Sequence, residues 1–247
     1  MPRLRLTIGG SQLGWVKVRD GWRGRIHAWQ DRIRDPTLTV LLILYLAAIF
    51  VALPLAAEGL AIARPVADTM VLAVLAVVVL LSDRRGAVCA MLLALGIIGA
   101  CLAFGRGWGP TTQIMVRRSG NIVAFSALIW VVGHAVYAPG RITSRRLQGA
   151  VVVYLSFAAI FASAFTLIWE LKPGAFAHLE IAPPGDAEAA AMLYFSLTTL
   201  TTTGYGDIIA VDPLARSLAN LESVIGVFYV AITVARLVTL ELEDRRR

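Results

Sequence analysis

Apolar positions along this chain gather into long runs separated by short polar breaks, and the runs set the expected elements. A helix needs about 20 mostly apolar residues to cross a hydrocarbon core roughly 30 Å thick. Runs of that kind cover Leu38 to Ala57, about Val66 to Ser82, about Ala87 to Gly105, about Gly120 to Ala138, about Gln148 to Leu171, and Asp212-Pro213 through about Leu240. Asp35-Pro36-Thr37 precedes the first, Asp83-Arg84-Arg85-Gly86 joins the second to the third, and Pro139-Gly140-Arg141 opens the linker after the fourth. A shorter apolar segment, Asp186 to Leu200, follows the polar stretch Lys172 to Gly185 and is too short to span, so it reads as a re-entrant helix. Asp186 is placed to cap its first turn, and Glu188 to sit at the positive end of its dipole. The expected fold is an all-α membrane protein with six transmembrane helices and one re-entrant helix and loop.

Ahead of the first run, Trp15, Val18, Trp22, Ile26, Trp29 and Ile33 recur at spacings of three and four, with Lys17, Arg19, Arg23, Arg25, Arg32 and Arg34 between them. This pattern predicts a basic amphipathic helix, either lying on a membrane surface with anionic headgroups or packed on the protein's own inner face.

Composition agrees: 58% of the 247 residues are hydrophobic, 16% are charged and the mean hydropathy is +0.73. The net charge of +7 does not point to nucleic acid, because the basic residues lie between apolar runs rather than on a continuous strip. They report topology instead. With six crossings, sixteen Lys or Arg fall on the side of both termini and six on the other, which predicts cytoplasmic termini in the plasma membrane. Arg106, Arg117 and Arg118 fit this least well, falling outside in the third-to-fourth connection. Cys89 and Cys101, on one apolar stretch 12 residues apart, are too distant to bridge and read as packing residues. The first apolar run is too long for a signal segment, so the N-terminus is expected to be retained.

The re-entrant segment ends Tyr194-Phe195-Ser196-Leu197-Thr198-Thr199-Leu200 and runs directly into Thr201-Thr202-Thr203-Gly204-Tyr205-Gly206-Asp207. Here the sequence resembles the potassium channel family, whose signature is a Thr-Val-Gly-Tyr-Gly filter followed by Asp, with Thr203 in the usual Val position. The resemblance covers roughly residues 148 to 240, a helix, pore loop, helix unit. Its chemistry is intelligible. A dehydrating potassium ion needs rings of backbone carbonyls, one loop supplies one quarter of each ring, and Gly204 and Gly206 admit the dihedrals that aim the oxygens. The resemblance implies that the carbonyls of Thr202, Thr203, Gly204 and Tyr205 bind K+, that the Thr202 hydroxyl completes the innermost site, and that Tyr205 faces an aromatic cuff. It also implies a homotetramer, no cofactor beyond the permeant ion, and no enzymatic activity.

Around the filter, Thr198 stands where many family members carry a carboxylate that binds the Asp after the filter. Asp207 therefore needs another donor, and Tyr194 is the candidate, with a solvated Asp207 as the alternative. Thr201 belongs to the same supporting group. Glu222 is an ionisable residue at membrane depth and calls for a partner. It is expected to brace the back of the filter through Thr198 or Ser196, or to serve as a protonatable gate element, or to reach a wet crevice. Gly226 resembles the glycine at which the family's inner helices bend, and equally suits close helix packing.

The plan of six crossings resembles the voltage-gated channels, yet Asn121 to Ala138 holds no Lys or Arg, so strong voltage dependence is not expected. His134 is the only side chain in that segment whose ordinary titration lies near neutral pH, a packed residue or a pH sensor. No spacing of His and Cys suits a metal. The chain then divides into a basic cytoplasmic segment (1–37), a peripheral four-helix bundle with its linker (38–147), a pore domain (148–240) and a short charged tail (241–247). Two rival readings are a non-conducting membrane sensor built on the channel fold and a weakly selective cation channel.

Overall fold

The computed structural model describes residues 39–40, 42–59, 96, 107, 109–137, 144–179 and 186–245. The N-terminal amphipathic segment, the second crossing, the third crossing (with Cys89 and Cys101) apart from residue 96, and the side chain of Asp186 lie outside the described residues. Among the described residues, three helices are long and apolar enough to cross a membrane, Thr111–Val136, Arg146–Leu171 and Pro213–Leu240, and a shorter apolar helix covers Leu42–Ala57. The protein is a mostly helical membrane protein.

Helix α1, Leu42–Ala57, contains a wide π turn at Ala48–Ala52 immediately before Pro54. Proline offers no N–H to the carbonyl four residues back and its ring crowds that carbonyl; a wider turn accommodates both. Helix α2, Pro110–Val136, starts after Gly109 in extended conformation, with Pro110 at the first helical position where its missing N–H costs nothing. This start lies well before Gly120, the boundary read from the apolar run. Arg117 and Arg118 therefore sit about two turns inside α2 rather than in a connection. The difference arises because a helix can begin in polar sequence before hydropathy rises. Helices α3 (Ser144–Leu171), α4 (Asp186–Leu200) and α5 (Pro213–Arg245) follow, α5 continuing through Glu241 into the charged tail.

Helices α2 and α3 form a tight hairpin. Gly149 sits so close to α2 that a Cβ there would lie 2.8 Å from Val136 and 3.2 Å from Val132, the small-residue contact that lets membrane helices approach. Helix α1 lies along the same pair. Gln148 Nε2 donates to Thr39 at 3.0 Å, the Tyr45 hydroxyl lies 3.5 Å from Ser156, and the Tyr45 ring stacks on Phe125 at 6.0 Å. Buried hydroxyls within α3 are satisfied by carbonyls one turn back, Ser156 on Val152, Ser163 on Ala159 and Thr166 on Ala162, as a water-free interior requires.

A second core fixes α4. Phe195 meets Phe165 at 5.0 Å and Phe176 at 5.3 Å, both edge-on, with Met192 fully buried among them. Strand β1 (Phe176–Ala177) pairs antiparallel with β2 (Ile209–Ala210), so the chain entering α4 and the chain leaving the Gly-Tyr-Gly loop are tied together. Asp212 completes this tie. Its Oδ1 caps α5 by accepting from Leu214 N at 2.9 Å, and its Oδ2 meets Lys172 Nζ at 2.9 Å, which holds the carboxyl below its ordinary range.

Candidate functional site

The last four carbonyls of a helix have no partner within it, and their fate at the end of α4 shapes the site. Leu197 O accepts from Thr201, both from its N–H at 3.0 Å and from its hydroxyl at 2.7 Å. Thr198 O accepts from Thr203 N at 2.8 Å and Gly204 N at 3.1 Å. Thr199 O accepts from Thr202 N at 2.9 Å and from the Ser223 hydroxyl of α5 at 3.1 Å. Leu200 O accepts from the Tyr154 hydroxyl of α3 at 3.2 Å. The bonds from Thr202 and Thr203 are those of a Schellman end, with Thr202 in the left-handed position usually held by glycine.

From there the backbone alternates. Thr202, Gly204 and Gly206 have φ of 57°, 52° and 80°, whereas Thr203 and Tyr205 between them stay at negative φ. When left- and right-handed residues alternate, successive N–H groups gather on one side of the strand. In a trans peptide the carbonyl points opposite to the N–H, so successive oxygens gather on the other side. Two of the three left-handed positions are glycine, which meets no Cβ penalty there; Thr202, β-branched, is held only because its surroundings over-determine it. Residues 201–207 are all exposed except for this attachment to α4. The arrangement can present a row of carbonyl oxygens to a cation, and one chain supplies one row.

Tyr194 and Asp207, 13 residues apart, are brought together. The Tyr194 hydroxyl donates to Asp207 Oδ2 at 2.7 Å, Ile208 N donates to Oδ1 at 3.1 Å, and the Tyr205 ring stacks on Tyr194 at 6.3 Å, 4° from parallel. The bond from Tyr194 holds the Asp207 carboxyl below its ordinary range, and the same bond raises the tyrosine to about 12. A carboxyl with a lowered value keeps its partner until pH falls through that value, and a raised tyrosine keeps its proton until pH rises through about 12. The bridge is therefore intact throughout the neutral range. Tyr194→Phe returns Asp207 toward an ordinary carboxyl, and the expected result is ion flux whose acid inhibition sets in at higher pH than in the wild type. A pH series of flux in liposomes from about pH 4 to about pH 9, spanning the ordinary carboxyl range, checks this; superimposable curves would sink the bridge as a functional element.

Thr198 supports the loop through its carbonyl, since its own hydroxyl turns to Phe195 O at 3.0 Å. Glu222, fully buried, bonds to Ser196 rather than to Thr198. The Ser196 hydroxyl also reaches Ala158 O at 2.8 Å, which joins α5, α4 and α3 at one point. One hydroxyl hydrogen cannot serve both acceptors, so both contacts of Ser196 are hydrogen bonds when Glu222 supplies a proton of its own, while Glu222 Oε2 has no partner among the described residues. Glutamine can make the same bond and leucine cannot. Glu222→Gln is expected to keep the thermal midpoint within a few degrees of wild type, and Glu222→Leu to lower it by the order of 1–3 kcal/mol of stability that an unsatisfied buried group costs. A melt of the two variants side by side decides this, and equal losses would remove Glu222 from the role.

Gly226 lies one turn beyond Glu222 on α5, its Cα facing the end of α4: a Cβ there would be 2.0 Å from Leu200 O. His134 is exposed on α2 beside Trp130, ring centroids 6.4 Å apart, and meets none of these residues. Glu188 is buried in the first turn of α4, with no partner for its Oε1 among the described residues. Sequence reasoning missed Tyr154 and Ser223, the side chains that hold the end of α4. Both are polar groups inside apolar runs, a signal that marks them, but nothing local names their acceptors.

Residues 149–242 match a family model described as an ion channel, a stretch that takes in nearly all of α3, the whole of α4 and the Gly-Tyr-Gly loop, and α5 short of its charged end. No curated protein and no solved structure matches the chain. This part of the protein is similar to an ion-channel domain, and its two long helices are apolar enough to cross a membrane.

Proposed function

We infer that the chain is one subunit of a homotetrameric potassium channel, with residues 201–207 as its selectivity filter and passive K+ conduction across the plasma membrane as its activity. The single observation that carries this reading is the alternation of φ at 57°, 52° and 80° on Thr202, Gly204 and Gly206. It aims consecutive backbone oxygens to one side, and such oxygens replace the hydration shell of potassium. Thr202, Thr203, Gly204 and Tyr205 supply these carbonyls, with Gly206, Thr201, Asp207 and Tyr194 holding the outer end.

Four copies are required because one chain contributes one row of a ring. The apolar exposure of α5 supports this: 17% of its apolar window is buried within the chain, against 61% for α3. Val224, Val227, Phe228 and Ile232, all more than half exposed, are available to neighbouring subunits or lipid. Voltage control is not strong, because α2 carries Arg117 and Arg118 side by side and no ladder of basic residues at every third position. Six crossings and cytoplasmic termini follow from the hydropathy and charge pattern.

The test is potassium uptake into liposomes containing the purified protein, with sodium-only liposomes as control. Uptake of potassium without uptake of sodium is the expected result. Equal uptake of both ions would replace the reading with a weakly selective cation channel, and no uptake from a proven tetramer would favour the non-conducting sensor.

A further inference from the structure

We propose that Thr203 is a positioning residue that clamps the inner end of the filter through its hydroxyl; the role rests on the filter reading above. Thr203 Oγ1 lies 2.8 Å from Thr201 Oγ1, and Thr201 Oγ1 lies 2.7 Å from Leu197 O. The direction of both bonds follows from counting hydrogens. Leu197 O only accepts, and the other carbonyl near Thr201, Thr198 O, is more distant at 3.5 Å, so the single hydroxyl hydrogen of Thr201 goes to Leu197. Thr203 must then donate to Thr201. The result is a directed relay, Thr203 to Thr201 to the last turn of α4.

The relay brackets Thr202. That residue holds a φ of 57°, a conformation a β-branched residue rarely adopts, and the hydroxyl bond joins the side chains on either side of it. The backbone N–H of Thr203 is bonded to the same turn of α4, at Thr198 O, 2.8 Å away. Thr203 is thus fixed by main chain and side chain together, and the geometry of Thr202 between two anchored neighbours is determined. Valine has nearly the shape of threonine but no donor, so it leaves this bracket open. The relay also places the Thr203 hydroxyl against α4, so that the hydroxyl serves the support of the filter and not the ring of ligands.

The experiment is hydrogen exchange of the peptide covering residues 201–207 in the purified full chain, comparing wild type, Thr203→Val, Thr203→Ser, Thr201→Val and the double valine variant. The relay predicts exchange at least about tenfold faster in Thr203→Val, within about twofold of wild type in Thr203→Ser, and no further gain when Thr201→Val is added to Thr203→Val. Thr203→Val exchanging at the wild-type rate, or the two valine effects adding in full, would overturn it. Potassium uptake is measured on the same preparations. Failure of the wild type to take up potassium would count against the channel reading alone, since the relay stands or falls on the exchange rates.

Discussion

Gly204→Ala is expected to abolish potassium uptake while leaving the protein folded and assembled. The two halves of that expectation have separate causes. At Gly204 a Cβ meets nothing within 4 Å in its own chain, so the substitution breaks no packing within the subunit. What it changes is the backbone: φ is 52°, and an L-residue in the left-handed region costs roughly 1–2 kcal/mol. Thr203 and Tyr205 on either side are at negative φ, so relaxation of residue 204 to negative φ would place three such residues in succession and turn its carbonyl away from the row. In the proposed ring of four chains the error would repeat four times. Size-exclusion chromatography and a thermal melt close to wild type, combined with uptake at the empty-liposome level, would be the expected set. Wild-type uptake would show that the alternation at 204 is not what conducts.

Gly226→Ala is expected to have the largest effect on stability, for the opposite reason. Here the added Cβ would lie 2.0 Å from Leu200 O, 3.0 Å from Leu200 C and 3.1 Å from Leu200 Cδ1. Carbon and carbonyl oxygen approach to about 3.3–3.6 Å, so α5 has to withdraw from α4 by more than an ångström. The first two atoms are backbone and cannot rotate aside. Withdrawal would break the Ser223 bond to Thr199 O and the Ser196 bond to Glu222, in addition to the usual cost of about 1–3 kcal/mol for overpacking. The expected result is a lowered melting temperature, loss of assembled protein and loss of uptake together. A hinge role for Gly226 predicts something else, an unaltered melt with altered opening. The melt separates the two.

Much of this was legible in the sequence because it depends on near neighbours. The helix Asp186–Leu200 has the bounds of its apolar run, and α3 and α5 follow runs whose length alone suits a membrane. Gly204 and Gly206 announce a backbone that L-residues resist, and Tyr194 stands 13 residues before Asp207 with a helix between them to carry it there. The start of α2 was not legible from hydropathy, because Pro110 and the polar turns after it form helix without adding to the apolar run.

By itself the sequence determined that the chain enters a membrane, that a half-length helix leads into a Thr-Thr-Thr-Gly-Tyr-Gly-Asp loop, and which positions must take unusual dihedrals. Hydropathy, helix length and the φ preference of glycine are properties of adjacent residues, so they can be read along the chain. Only the tertiary structure decided that Glu222 meets Ser196 and not Thr198, that Tyr154 and Ser223 hold the end of α4, and that Gly226 admits Leu200 O. These pairs are separated by 24 to 46 residues and lie on different helices. Which of them touch depends on the rotation and axial register of each helix against its neighbour, a shift of one residue turning a side chain by about 100°, and that register is set by the packing of all the side chains between them.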